Sequence, residues 1–284
     1  MFGGSRSSAT TDPETDQRTP RQHHELPMEE IQMRFTSTEN SYRCSRRRRI
    51  LVLGLLGPAT LLLGVGSVFA QTDTPRSERV LTQQEQEVLT PDEIFAVLKE
   101  GNQRFVSGTL TSRDHSEQIR HAAGGQFPKA MILSCVDSRI PVEDVFDLGI
   151  GDIFVARVAG NFENTDILGS MEFATKVSGA KLILVMGHED CGAIKAAIDQ
   201  AKLGNITAML ENIKPAVGSL SSYEGDQTSA NPEFVHLVTE KNVRLSIDDI
   251  RQRSPILKEM EEQGQLKIAG ALYDMDTGAV EFFD

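Results

Sequence analysis

Three short apolar runs, Lys129 to Ser134, Asp152 to Val158 and Lys181 to Met186, alternate with stretches of helical periodicity. No other feature constrains the fold as much. Each run is nearly continuous in apolar residues, as a strand is when both its faces are covered. Such strands alternating with helices predict an α/β domain: a mostly parallel β-sheet covered by helices. The helical segments carry their own signals. Thr90 before Pro91-Asp92-Glu93 places a capping hydroxyl, a first-turn proline and first-turn acid in order. Ile94, Phe95, Leu98, Phe105 and Val106 then follow at helical spacing, which predicts a helix over about 91–107. A short helical turn is expected near 141–148, helices over 165–178 and from Cys191 onward, and helical patterns through about 206–263. Leu266 to Tyr273 and Ala279 to Phe283, joined by Asp274-Met275-Asp276-Thr277-Gly278, close the chain as a hairpin-like strand pair.

The segment before this pattern has a different character. The first 70 residues hold nine Lys/Arg and seven Asp/Glu, leaving 20 basic and 34 acidic residues and a net charge of about −14 on 71–284. That acidity argues against nucleic acid or an anionic membrane surface as the partner of the folded part. Arg46 to Arg49 precede an uncharged 21-residue stretch, Ile50 to Ala70, with small residues Val68 and Ala70 before Gln71. A basic region, an apolar core and a small-residue cleavage site describe a secretory signal peptide, and the same length also suits a membrane anchor. Either way, positive charge stays on the cytoplasmic side and the remainder is expected to be exported, periplasmic or extracellular. The paired arginines after Ser45 also admit a twin-arginine route. Residues 1–49 therefore read as a disordered, basic leader with Met33 as an alternative start, 50–70 as the signal or anchor, 71–87 as a linker and 88–284 as the folded domain.

Two motifs follow two of the strands: Cys135-Val136-Asp137-Ser138-Arg139 and His188-Glu189-Asp190-Cys191-Gly192. In a parallel sheet, groups at the carboxyl ends of strands share one edge, so Cys135, His188 and Cys191 are expected to converge. Two thiolates and one imidazole suit a zinc site with a fourth position open to water or substrate. Asp137 as fourth ligand would close that site. A buried, inert cysteine and a Cys135–Cys191 disulfide are the competing readings of the same residues. Cys44, the third cysteine, falls in the leader.

At these motifs the chain resembles the β-class carbonic anhydrases, whose signatures are Cys-x-Asp-x-Arg and His-x-x-Cys. Gly151 to Asn161, Gly270 to Asp274 and Thr277-Gly278 resemble further segments of that family, so the likeness extends over about 88–284. The resemblance implies Zn2+ held by Cys135, His188 and Cys191, with Asp137 and Arg139 as the adjacent catalytic pair. It implies reversible hydration of carbon dioxide to bicarbonate by zinc-bound hydroxide, in a homodimer or a multiple of dimers. Gln126 matches a family position that hydrogen-bonds substrate; otherwise it is a plain loop residue. Phe154 would line an apolar pocket, within the chain or across a dimer, or serve as ordinary core. Ala193 stands where many relatives carry a second glycine, a change a helix tolerates. The family branch with a non-catalytic bicarbonate site uses tryptophan there, and this chain has none. Hydrolysis of carbonyl sulfide or carbon disulfide on the same fold, and a non-catalytic zinc scaffold or bicarbonate sensor, are the alternative functions. His115, His121 and His236 lack metal-ligand spacing, and none is singled out as a proton shuttle.

Overall fold

Along the strand Ala130–Ser134 (β1), Ala130 and Ile132 point to one side of a sheet while Met131 and Leu133 point to the other, and all four are buried. The strand Leu182–His188 (β3) repeats the alternation, with Leu182, Leu184 and Met186 on the first side and Ile183 and Val185 on the second. Apolar residues on both faces require a covering layer on each, which is why these runs show no polar alternation. The structure, a computed structural model, describes residues 77–283. The leader, Cys44, the segment 50–70 and the start of the expected linker lie outside the described residues.

The sheet has five strands in the order β2-β1-β3-β4-β5, where β2 is Ile153–Arg157, β4 is Lys267–Tyr273 and β5 is Val280–Phe283. The first four are parallel and β5 runs antiparallel to β4, so the mostly parallel sheet with a closing strand pair is observed. One face is covered by the helices Pro91–Val106 (α2) and Val142–Val145 (α4) through Ile94, Phe95, Leu98, Val142 and Val145. The other is covered by the helix Pro232–Arg253 (α9), whose buried Val243, Ile247 and Ile250 recur at helical spacing, and by Leu257 and Met260 of Pro255–Glu262 (α10). β2 is an edge strand and, unlike its neighbour β1, is only half-buried.

The structure departs from the sequence pattern in three places. The segment read as a linker contains a helix, Gln83–Val88 (α1), started by a reciprocal cap between Thr82 and Glu85. Its one buried side chain is polar: Gln86 Nε2 donates to the carbonyls of Pro128 and Ser178 at 2.7 and 2.8 Å, an anchor without an apolar signal. The helix expected over 165–178 is α-helical only over Thr165–Glu172 (α5) and ends in a π-helical turn, Phe173–Val177. The helical stretch expected over 206–263 divides into Gly204–Leu210 (α7), Lys214–Ser219 (α8), α9 and α10. Pro215, Pro232 and Pro255 each occupy a first-turn position in these helices, and an N-terminal proline marks a boundary rather than an interior. The helix His115–Ala122 (α3), capped by Asp114, precedes β1.

Candidate metal centre

The strand order brings the motifs together. The chain leaves β1 toward β2 on one side, whereas from β3 it proceeds to β4 on the other, so the crevice at the carboxyl ends of β1 and β3 is a topological switch point. Ser134 is in register with Met186, which puts Cys135, just past β1, at the same edge as His188, the last residue of β3. After His188 the chain turns at Asp190, whose φ is 55°, and Cys191 becomes the N-cap of the helix Gly192–Ile198 (α6). Sγ of Cys135, Sγ of Cys191 and a ring nitrogen of His188 lie within 4.8 Å of one another, and all three residues are buried. The sulfurs are 4.0 Å apart and both cysteines are free thiols, which sets the disulfide reading aside in this structure.

These residues fit a bound metal. His188 Nδ1 is 2.8 Å from the carbonyl of Glu189, so the proton sits on Nδ1 and the Nε2 lone pair is left available. Nε2 is buried and has no hydrogen-bond partner. A buried nitrogen in that state costs about 1–3 kcal/mol unless something accepts its lone pair, and a cation beside two sulfurs does so. Two thiolates and an imidazole are the donor set that zinc prefers. Among the described residues the group comprises these three, and Asp137 is not part of it.

Charge within the site is arranged by hydrogen bonds. The Cys135 and Cys191 sulfurs share a proton across 4.0 Å, and with the main-chain N–H groups of Gly160 and Asp137 this brings the Cys135 thiol down to about 4 against the effect of burial. Cys191, which shares that proton and is itself buried, is pushed far up. Gly160 N–H donates to Cys135 Sγ at 3.4 Å, and its carbonyl is held by Asn242 Nδ2 at 2.8 Å. Arg139 meets both carboxylate oxygens of Asp137 and holds that carboxyl well below the usual range. Lys195 pairs with the exposed Asp190, and His236 Nδ1 lies 4.0 Å from Glu189, both on the exposed rim.

Five of the expected site residues therefore sit together: Cys135, Asp137, Arg139, His188 and Cys191. Gln126 and Phe154 do not join them within the chain. Gln126 is an exposed loop residue before β1, while Cys135 follows it, and a five-residue strand at about 3.3 Å per residue lies between. Phe154 pairs in register with Met131, four residues before Cys135, and packs edge-on against Phe173 with ring centroids 6.4 Å apart. The sequence reading did not single out Gly160, Arg157 or Asn242. Arg157 and Gly160 lay within the family-like segment 151–161, but their partners are visible only in three dimensions; Asn242 offered no signal beyond its place on a helical face. A separate cavity of about 420 Å3, lined by Arg79, Leu89, Arg113, Gln118, Lys129 and Asp152 among others, opens where β1 and β2 begin and contains none of the motif residues.

Comparison with known proteins agrees with this geometry. The family model described as carbonic anhydrase matches residues 130–280. Carbonic anhydrase 2 of Mycobacterium tuberculosis is 36% identical over 196 residues, covering 66% of this chain and 90% of its own length. A solved β-carbonic anhydrase of Aspergillus fumigatus is similar at 26% identity with a TM-score of 0.55, over 67% of this chain and 90% of that one. A chain from the tetrameric β-carbonic anhydrases of Sordaria macrospora is similar at 25% identity and a TM-score of 0.52, over 58% of this chain and 84% of that one.

Proposed function

The chain belongs to the β-carbonic anhydrase family, and on that premise we propose that it catalyses the reversible hydration of carbon dioxide to bicarbonate and a proton. The observation that carries the proposal is the Cys135–His188–Cys191 group, with its unpartnered Nε2, beside an intact Asp137–Arg139 pair. Cys135, His188 and Cys191 would hold zinc, which when bound supplies the Lewis acidity that makes water nucleophilic near neutral pH. Asp137, ionised and fixed by Arg139, accepts a hydrogen bond from the attacking oxygen and turns its lone pair toward carbon dioxide. Arg139 keeps that carboxylate from swinging away. A purely structural metal site has no need of such a pair, which counts against the scaffold or sensor reading.

Gln126 and Phe154 would serve substrate only from a neighbouring protomer. The half-buried edge strand β2, and the likeness to tetrameric β-carbonic anhydrases, support assembly as a dimer or a multiple of dimers. Export completes the proposal: Arg46 to Arg49 and the apolar stretch 50–70 would place the domain outside the cytoplasm, cleaved before Gln71 or anchored.

The test is stopped-flow hydration of carbon dioxide by zinc-quantified protein, run beside carbonyl sulfide. Rapid hydration with about one zinc per chain is expected of a single three-ligand site. Turnover of carbonyl sulfide alone would move the function to that substrate. Zinc without turnover of either would leave a scaffold.

A further inference from the structure

We propose that Arg157 is a positioning residue that acts on the site entirely through the main chain; the inference rests on the reading of the metal centre given above. Arg157 is the last residue of β2 and is in register with Ser134, the residue before Cys135. Its Nε donates to the carbonyl of Cys135 at 2.8 Å and its Nη2 to the carbonyl of Asp137. One rigid, planar group therefore spans the turn that carries both a metal thiolate and the orienting carboxylate.

The rest of that turn explains why such a clamp matters. Val136, between the two carbonyls, is 55% exposed, so apolar burial does not hold the segment from outside. The Asp137 carbonyl has one further contact, from Ile140 N–H at 3.4 Å, which is long. The side chains are gripped separately: Cys135 Sγ by Gly160 N–H, and the Asp137 carboxylate by Arg139. Asp137 is thus held at its carboxylate by Arg139 and at its backbone by Arg157. The Arg157 guanidinium donates to these two carbonyls rather than to a carboxylate, so its charge-assisted bonds are spent on this turn. Losing them would let Sγ and the carboxylate move relative to each other without removing either.

Arg157→Met and Arg157→Lys, each loaded with zinc, test the assignment by three readings: carbon dioxide hydration per bound zinc, the rate of zinc loss to excess chelator, and the thermal midpoint. Arg157→Met is expected to lower kcat per zinc by about 10- to 100-fold with KM little changed, and to release zinc about tenfold faster, the usual scale for groups that orient metal ligands. Arg157→Lys, which reaches one carbonyl at a time, is expected to fall between the two. A methionine variant equal to wild type in kcat per zinc and in zinc loss would overturn the proposal, whatever its thermal midpoint. So would a lysine variant indistinguishable from wild type, since charge alone would then suffice; if the methionine variant fails to fold, that comparison decides. A wild-type protein inactive on carbon dioxide, paired with a methionine variant that sheds zinc faster, would overturn the proposed function and uphold the clamp.

Discussion

Arg139 grips Asp137 from two residues away: Nε and Nη2 reach Oδ1 and Oδ2 at 2.9 and 2.7 Å, and the Arg139 main-chain N–H reaches Oδ1 at 3.0 Å. The arginine is half exposed, so the pair adds little to stability; its effect is to keep one carboxylate ionised and facing one way.

Asp137→Asn keeps the shape and removes the charge. Zinc content is expected to stay at the wild-type level while kcat falls by about 100-fold or more, the scale of a positioned acid–base group. Because Arg139 lowers the Asp137 pKa, the carboxylate remains ionised at every pH above the ordinary carboxylate range. Any rise of activity between about pH 6 and 9 is therefore expected to originate elsewhere in the site, which pH–rate profiles of wild type and Asp137→Asn measure. Near wild-type hydration by the zinc-loaded variant would remove Asp137 from its role.

Gly160 has φ +86°, and a Cβ there would lie 2.4 Å from Ile213 Cδ1. Gly160→Ala is expected to cost about 1–3 kcal/mol of stability through backbone strain and overpacking. It should also weaken zinc retention, because the strained segment carries the N–H that meets Cys135 Sγ. Urea unfolding and zinc titration measure the two effects; unchanged stability would show that the loop relaxes freely.

Asp147 is buried with φ 48° and receives Arg104 Nε at 2.5 Å, Arg113 Nη1 at 2.6 Å, and both the N–H and the hydroxyl of Thr111. Burial pushes its carboxyl up, but these bonds outweigh that and lower it overall. A folded pKa below the unfolded value of about 3.9 stabilises the protein above that value, and the contribution is lost as pH falls through the folded pKa. Asp147→Asn is therefore expected to be less stable at pH 7 by about 2–3 kcal/mol, discounted for the partial exposure of Arg104. The gap should narrow below about pH 4. Denaturant unfolding at pH 7, 4 and 3 measures it; a constant gap would contradict the assignment.

Export predicts a mature chain beginning at Gln71, found by intact mass in the extracytoplasmic fraction. Deleting residues 46–70 should retain the protein in the cytoplasm. A membrane-bound chain that keeps 50–70 would identify an anchor. A full-length chain confined to the cytoplasm would refute export.

Much of this protein is legible locally. The apolar runs containing Ile132 and Leu184 mark central strands, Thr90 and Pro91 mark a helix start, and each motif begins where an apolar run ends. These signals lie within a few residues of the structure they specify, since periodicity, capping and turn chemistry act over that range. Gln86 and Gly160 were not legible, because a polar anchor and a close-packed glycine acquire meaning only from distant partners. Residues 152–158 resemble the central runs, yet β2 is an edge strand and half-buried; strand order is a matter of packing, not of local composition. By itself the sequence determined the α/β class and the places of the two Cys/His motifs at strand ends. Only the tertiary structure decided that Cys135, His188 and Cys191 form one buried cluster, that Gln126 and Phe154 lie outside it in their own chain, and that Arg157 spans the turn carrying Cys135 and Asp137. Those relationships join residues far apart in sequence and arise only when the sheet assembles.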